Sequence, residues 1–144
     1  MAITQLSAFL ENTPGTLCEA VGAITDAGVN IRALSVADTK DFGILRVIVS
    51  DIEKTKAALS SSTVVKETPV IAVKMNDKAG ALSEILSVLQ AENVNVEYVY
   101  AFTAAVAGNA YVVFRVDSIE DAEKILAAHG ITTLCDEDMK SFLE

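Results

Sequence analysis

Two short segments carry the residues best suited to holding a ligand: Asn12-Thr13-Pro14-Gly15-Thr16-Leu17 and Asp77-Lys78-Ala79-Gly80-Ala81-Leu82. Each stands between an alternating apolar stretch and an amphipathic one, so each reads as a strand-to-helix turn. Gly15 and Gly80 permit positive φ and let a ligand come close to the backbone. Pro14 presets φ where a helix begins. The first helical turn then presents N–H groups, a natural seat for a carboxylate. Asn12 or Asp77 can accept hydrogen bonds from an ammonium. Asn30 and Asn95 open the next strands, and each carboxamide both donates and accepts. An anion seat beside ammonium acceptors suits a zwitterion, hence an α-amino acid. The same residues also fit purely structural roles. Thr16 with Glu19 matches a capping box, and Pro-Gly before a helix is common punctuation. Residue chemistry alone favours those structural roles.

Catalytic chemistry has little to work with. There is one histidine, His129, and no Ser-His-Asp constellation or Gly-rich phosphate loop. Asp117, Glu120, Asp121 and Glu123 cluster on one helix and read as a solvated face. His129 lies just before Gly130, where helix capping explains it better than catalysis. Cys18 and Cys135 form no CxxC pair and read as free buried thiols. No metal site and no cofactor are expected, and the chain reads as a non-enzyme.

The elements that position these turns come from an internal repeat. A shift of 65 positions superposes Gly15 on Gly80, Leu17 on Leu82, Glu19 on Glu84 and Asn30 on Asn95. Further on the shift becomes 67, matching Ile52 with Ile119 and Leu59 with Leu126. The two extra residues belong in the connection TAAVAGNA, residues 103–110. Leu17, Ala20, Val21 and Ile24 mark one buried helix face, and Leu82, Ile85, Leu86 and Leu89 the other. The first unit reads as strand 4–10, helix 15–27, strands 29–37 and 44–49, a helix capped by Asp51, and strand 64–67. In strand 4–10, Leu6, Ala8 and Leu10 alternate with Gln5 and Ser7. The second unit reads 70–75, 80–92, 94–103, 110–116, 118–129 and 131–134 in the same order. Asp136 then caps a short helix whose apolar stripe is Met139, Phe142 and Leu143.

The expected fold class is therefore α+β: two ferredoxin-like βαββαβ sandwiches in tandem, antiparallel sheets with helices on one face. Residues 1–67 form the first domain, 68–135 the second and 136–144 a helical tail. Each unit alone is marginal in size, which favours joining the sheets into one of eight strands and a further homodimer. Tyr98, Tyr100 and Phe102 share one strand face at period two. Core packing or a dimer contact accounts for them.

Composition sets the outer bounds. The 144 residues are 51% apolar, with 11 basic and 20 acidic side chains and a formal charge of −9. Such acidity argues against nucleic acid or anionic lipid as partner. It is uneven, −2 over residues 1–67 and −7 over 68–144. No apolar run is long enough to span a membrane and the N-terminus lacks signal-peptide features, so a cytoplasmic protein is expected.

At these turns the sequence resembles the ACT domain family, small regulatory βαββαβ modules that bind amino acids. The match is Asn-Thr-Pro-Gly-Thr-Leu at 12–17 and Ala-Gly-Val-Asn-Ile at 27–31, echoed by Ala-Gly-Ala-Leu at 79–82 and Asn-Val-Asn-Val at 93–96. It covers almost the whole chain and implies a stand-alone tandem ACT protein. In similar proteins the ligand sits between two ACT units, touching the strand-to-helix loop of one and the second-strand start of the other. By position this implicates Leu10, Asn12, Thr13, Pro14, Gly15, Thr16 and Leu17 with Asn30 and Ile31. In the second unit it implicates Asp77, Lys78, Ala79, Gly80, Ala81 and Leu82 with Asn95 and Val96. Asn12 and Asn30 match the asparagines that hold the effector in serine-responsive members, where Leu10's position is often His. Asp77 and Ala79 depart from the pattern, which makes the first loop the better site. The resemblance implies a non-catalytic sensor of a free L-amino acid that modulates a partner enzyme. The alternative is a structural subunit of a metabolic enzyme with no small-molecule ligand.

Overall fold

Period-two and period-3.6 patterning produce strands and helices in the expected order. The computed structural model describes residues 2–103 and 107–141. The elements are β1 (Ile3–Glu11), α1 (Thr16–Asp26), β2 (Ile31–Asp38), β3 (Phe42–Val49), α2 (Ile52–Leu59), β4 (Val65–Asn76), α3 (Ala81–Ala91), β5 (Val96–Ala101), β6 (Asn109–Val116), α4 (Ile119–Ala128), β7 (Thr133–Leu134) and α5 (Asp136–Ser141). They make two βαββαβ units, antiparallel sheets with helices on one side. The compact units are Thr4–Thr68, and the described chain from Pro69 onward together with residues 2–3. Seven strands are present among the described residues, not eight. The strands expected at 64–67 and 70–75 are one strand, β4, that runs through Pro69. The two residues inserted in the 103–110 connection, and the Phe142 and Leu143 part of the tail stripe, fall on or beside segments outside the described residues.

In the first unit β3 lies between β1 and β2, antiparallel to both. After α2 the chain returns beside β1, where Phe9 N donates to Val64 O at 3.3 Å and the Thr63 hydroxyl donates to Phe9 O. In the second unit β6 lies between β4 and β5, and β7 pairs with the other side of β4. Each unit has its own core. Leu6, Ala8, Leu10, Ala20, Ile24, Leu45, Val47 and Leu59 fill the first. Ile71, Val73, Ile85, Leu89, Val112, Phe114, Ala122 and Leu126 fill the second.

Several expectations shift for identifiable reasons. Gln5 and Ser7 are buried although their alternation pointed them to solvent, and Gln5 Nε2 donates to Ser7 Oγ at 3.0 Å. That bond satisfies part of the polar demand of a strand shielded on both faces. β2 and β5 each carry a bulge at equivalent positions, between Ile31 and Ala33 and between Val96 and Tyr98. A bulge inserts one residue and reverses the alternation beyond it. Tyr98 and Tyr100 therefore pair with Arg115 and Val113, while Val99 and Ala101 face the core residues Phe114 and Val112. The two tyrosines stack at 6.4 Å between ring centroids, outside the helix-side core. Cys18 is exposed, not buried. The buried stripe of α1 is Ala20 and Ile24, and Leu17 is 41% exposed.

Helix starts are built in different ways. Asp51 caps α2 as expected, its Oδ1 accepting from Lys54 N at 3.0 Å. In α5 the Cys135 carbonyl, not that of Asp136, accepts the first helical bond, from Met139 N. The Asp138 carboxylate reaches back to accept from Cys135 N at 2.8 Å, the return half of a capping box. That bond holds its carboxyl below the usual carboxylate range. The helices α1 and α3 instead start from glycine and receive no side-chain cap.

Candidate functional site

The backbone of the two strand-to-helix turns is built to one plan. Asn12 N donates to Asp41 O at 3.1 Å, and Asp77 N to Gly108 O at 3.0 Å. Thr13 N donates to Glu11 O, and Lys78 N to Asn76 O, both at 2.9 Å. Thr16 N reaches Thr13 O at 3.4 Å, and Ala81 N reaches Lys78 O at 3.3 Å. Gly15 has φ 87 and ψ −17, and Gly80 has φ 90 and ψ −14. These are the dihedrals of the third residue of a type II β-turn, which demands positive φ there and favours proline just before it. Pro14 occupies that preceding place, and Ala79 occupies it in the second unit. The glycines are thus required by conformation. A Cβ at either one would meet nothing within 4 Å, so crowding is not the reason.

The type II geometry resolves the choice between readings of Thr16. Glu19 N donates to Gly15 O at 2.9 Å, which makes Gly15 the N-cap and Thr16 the first helical residue. The Thr16–Glu19 capping box does not form. Thr16 Oγ1 pairs instead with Thr13 Oγ1 at 2.7 Å. With glycine at the N-cap, no side chain satisfies the leading N–H groups of α1 or α3, and each helix end keeps its partial positive charge. Substituting proline at Ala79 should extend the first turn's design to the second. We expect Ala79→Pro to raise stability by about 0.4–1 kcal/mol, read as a higher urea midpoint with an unchanged slope.

The asparagines fall into two places. Asn12 is exposed, and its Nδ2 donates to Thr39 O at 3.5 Å in the β2–β3 turn. Asn30 and Asn95, also exposed, lie at the far ends of α1 and α3. Their backbones are locked by reciprocal bonds: Asn30 with Ser50, and Asn95 with Asp117. An 11-residue helix separates the two places, a span of about 16 Å. One small ligand therefore cannot touch Asn12 and Asn30 of the same unit. Leu10, Thr13, Pro14, Gly15, Thr16 and Leu17 gather with Asn12 at one end, and Ile31 lies with Asn30 at the other. The second unit repeats this, with Met75 in the place of Leu10, Lys78, Ala79, Gly80, Ala81 and Leu82 beside Asp77, and Val96 beside Asn95.

Beside each turn lies a cleft between the two helices. In the first unit its volume is about 670 Å³, with Leu10 and Thr16 in its wall beside Phe9, Glu19, Ala20, Phe42 and Val64. In the second unit it is about 300 Å³, lined by Met75, Lys78 and Ala81 together with Lys74, Glu84, Ile85, Asn109, His129 and Ile131. Most lining positions correspond through the repeat, with Phe9 replaced by Lys74, Phe42 by Asn109 and Val64 by Ile131. His129 ends α4 as expected, its Nδ1 bonding Ile125 O at 2.9 Å. Sequence reading of the turns did not single out Phe9, Phe42 or Val64, and weighed Glu19 only as a capping-box partner. The signal available was the aligned repeat, in which bulky Phe9 and Phe42 stand opposite polar Lys74 and Asn109.

A family model described as "ACT domain pair" matches residues 1–143. The chain belongs to the ACT domain family. No curated protein matches it. The crystal structure of protein BT0572 from Bacteroides thetaiotaomicron is similar to this ACT pair at 35% identity and TM-score 0.89, covering 97% of this chain and 96% of that one. The regulatory subunit of aspartate kinase from Thermus thermophilus is similar at 11% identity and TM-score 0.63, covering 87% and 90%. The Thermus flavus counterpart is similar at 14% and 0.61, covering 87% and 88%. At those identities the likeness is one of fold. Among the described residues no helix is long and apolar enough to cross a membrane.

Proposed function

We propose that this ACT pair is a non-catalytic regulatory protein that binds a free L-amino acid at the strand-to-helix turn and modulates a partner enzyme. The observation that carries the reading is the turn itself. A type II turn with glycine at φ near +90 delivers the chain into a helix whose leading N–H groups have no side-chain cap, twice, in a chain of a regulatory family. A carboxylate fits that end electrostatically, and the Asn12 side chain supplies a neighbouring polar group. The first unit is the better site, because Asp77 in the second opposes a carboxylate.

Asn12 and Asn30 lie too far apart within a unit to share one ligand, so a ligand held by both kinds of asparagine bridges to another ACT unit. That other unit belongs either to the same chain or to a second copy of it. Binding that favours one arrangement of units over another couples ligand to output. Regulatory subunits of aspartate kinase carry this fold, which supports an enzyme as the partner class.

A thermal-shift screen of the twenty amino acids tests the reading. The cognate ligand at a hundredfold excess over its Kd should raise the midpoint by roughly 5–10 °C, because binding to the native state alone adds about 2.7 kcal/mol. Unchanged midpoints with all twenty would contradict it.

A further inference from the structure

We draw no further inference here: the strongest candidate, the outer edge of β2 in the first unit, where Leu34 and Val36 are 40% and 45% exposed on a strand whose one neighbour among the described residues is β3, is an apolar edge that any extended segment could pair with, and nothing in the structure shows what covers it.

Discussion

Truncating Phe114 to Ala is expected to remove about 3–5 kcal/mol of stability, a large share of what a domain of this size has. Phe114 is 1% exposed. On β6 it pairs with Ile71 and Val99 and packs with Ile85, Leu89 and Leu126 in the second core. Its loss opens a cavity that these neighbours, held by two helices, cannot fill by relaxation. The repeat-equivalent position in the first unit is Val47, so the first core holds no aromatic there. Phe42→Ala is the informative control. That side chain is mostly in water, and its truncation should cost less than about 1 kcal/mol. Urea denaturation of both variants checks the pair. Comparable losses would mean that Phe42 is structural.

Gly15→Ala and Gly80→Ala are expected to destabilise by about 1–2 kcal/mol each. The reason is conformational: both residues hold φ near +90 in a type II turn, and an L side chain is strained there even in open space. Gly22 separates this from a general glycine effect. It sits inside α1 without positive φ and with nothing within 4 Å of an added Cβ. Gly22→Ala should therefore stabilise, by about 0.5–1 kcal/mol. Opposite signs at Gly15 and Gly22, measured as urea midpoints, support the turn geometry. A neutral Gly15→Ala would mean that the turn relaxes to another type without cost. Gly15→Ala should also weaken the ligand, since any shift of the turn re-aims the leading N–H groups of α1.

Much of the fold was readable because local signals and the repeat agreed. The shift of 65 and then 67 residues placed both turns and all four long helices, and Leu6, Ala8 and Leu10 lie in the first core as their alternation implied. The failures share a cause, namely that periodicity presumes uninterrupted elements. One bulge between Val96 and Tyr98 moved Tyr98 and Tyr100 off the helix side of the sheet. Pro69 read as a break but sits within a continuous strand. A proline can occupy a strand position where no ladder donor is needed.

At the site, residue identities were legible and roles were not. Thr16 and Glu19 have the spacing of a capping box, yet Gly15 takes the N-cap because the preceding type II turn requires it there. Phe9, Phe42 and Val64 are distant in sequence, and only the β1–β3 pairing of Glu11 with Phe42 and the backbone Phe9–Val64 bond bring their strands side by side.

The central claim is that a free amino acid sits on the leading end of α1. Amide chemical shifts of the 15N-labelled full chain, followed during titration with each of the twenty amino acids, test it most directly. The account predicts saturable shifts of Gly15, Thr16, Leu17 and Cys18 with one chemically related set of amino acids, larger than those at Gly80, Ala81 and Leu82. Saturable binding that leaves residues 12–19 unmoved, or no response to any amino acid at millimolar concentration, would contradict it.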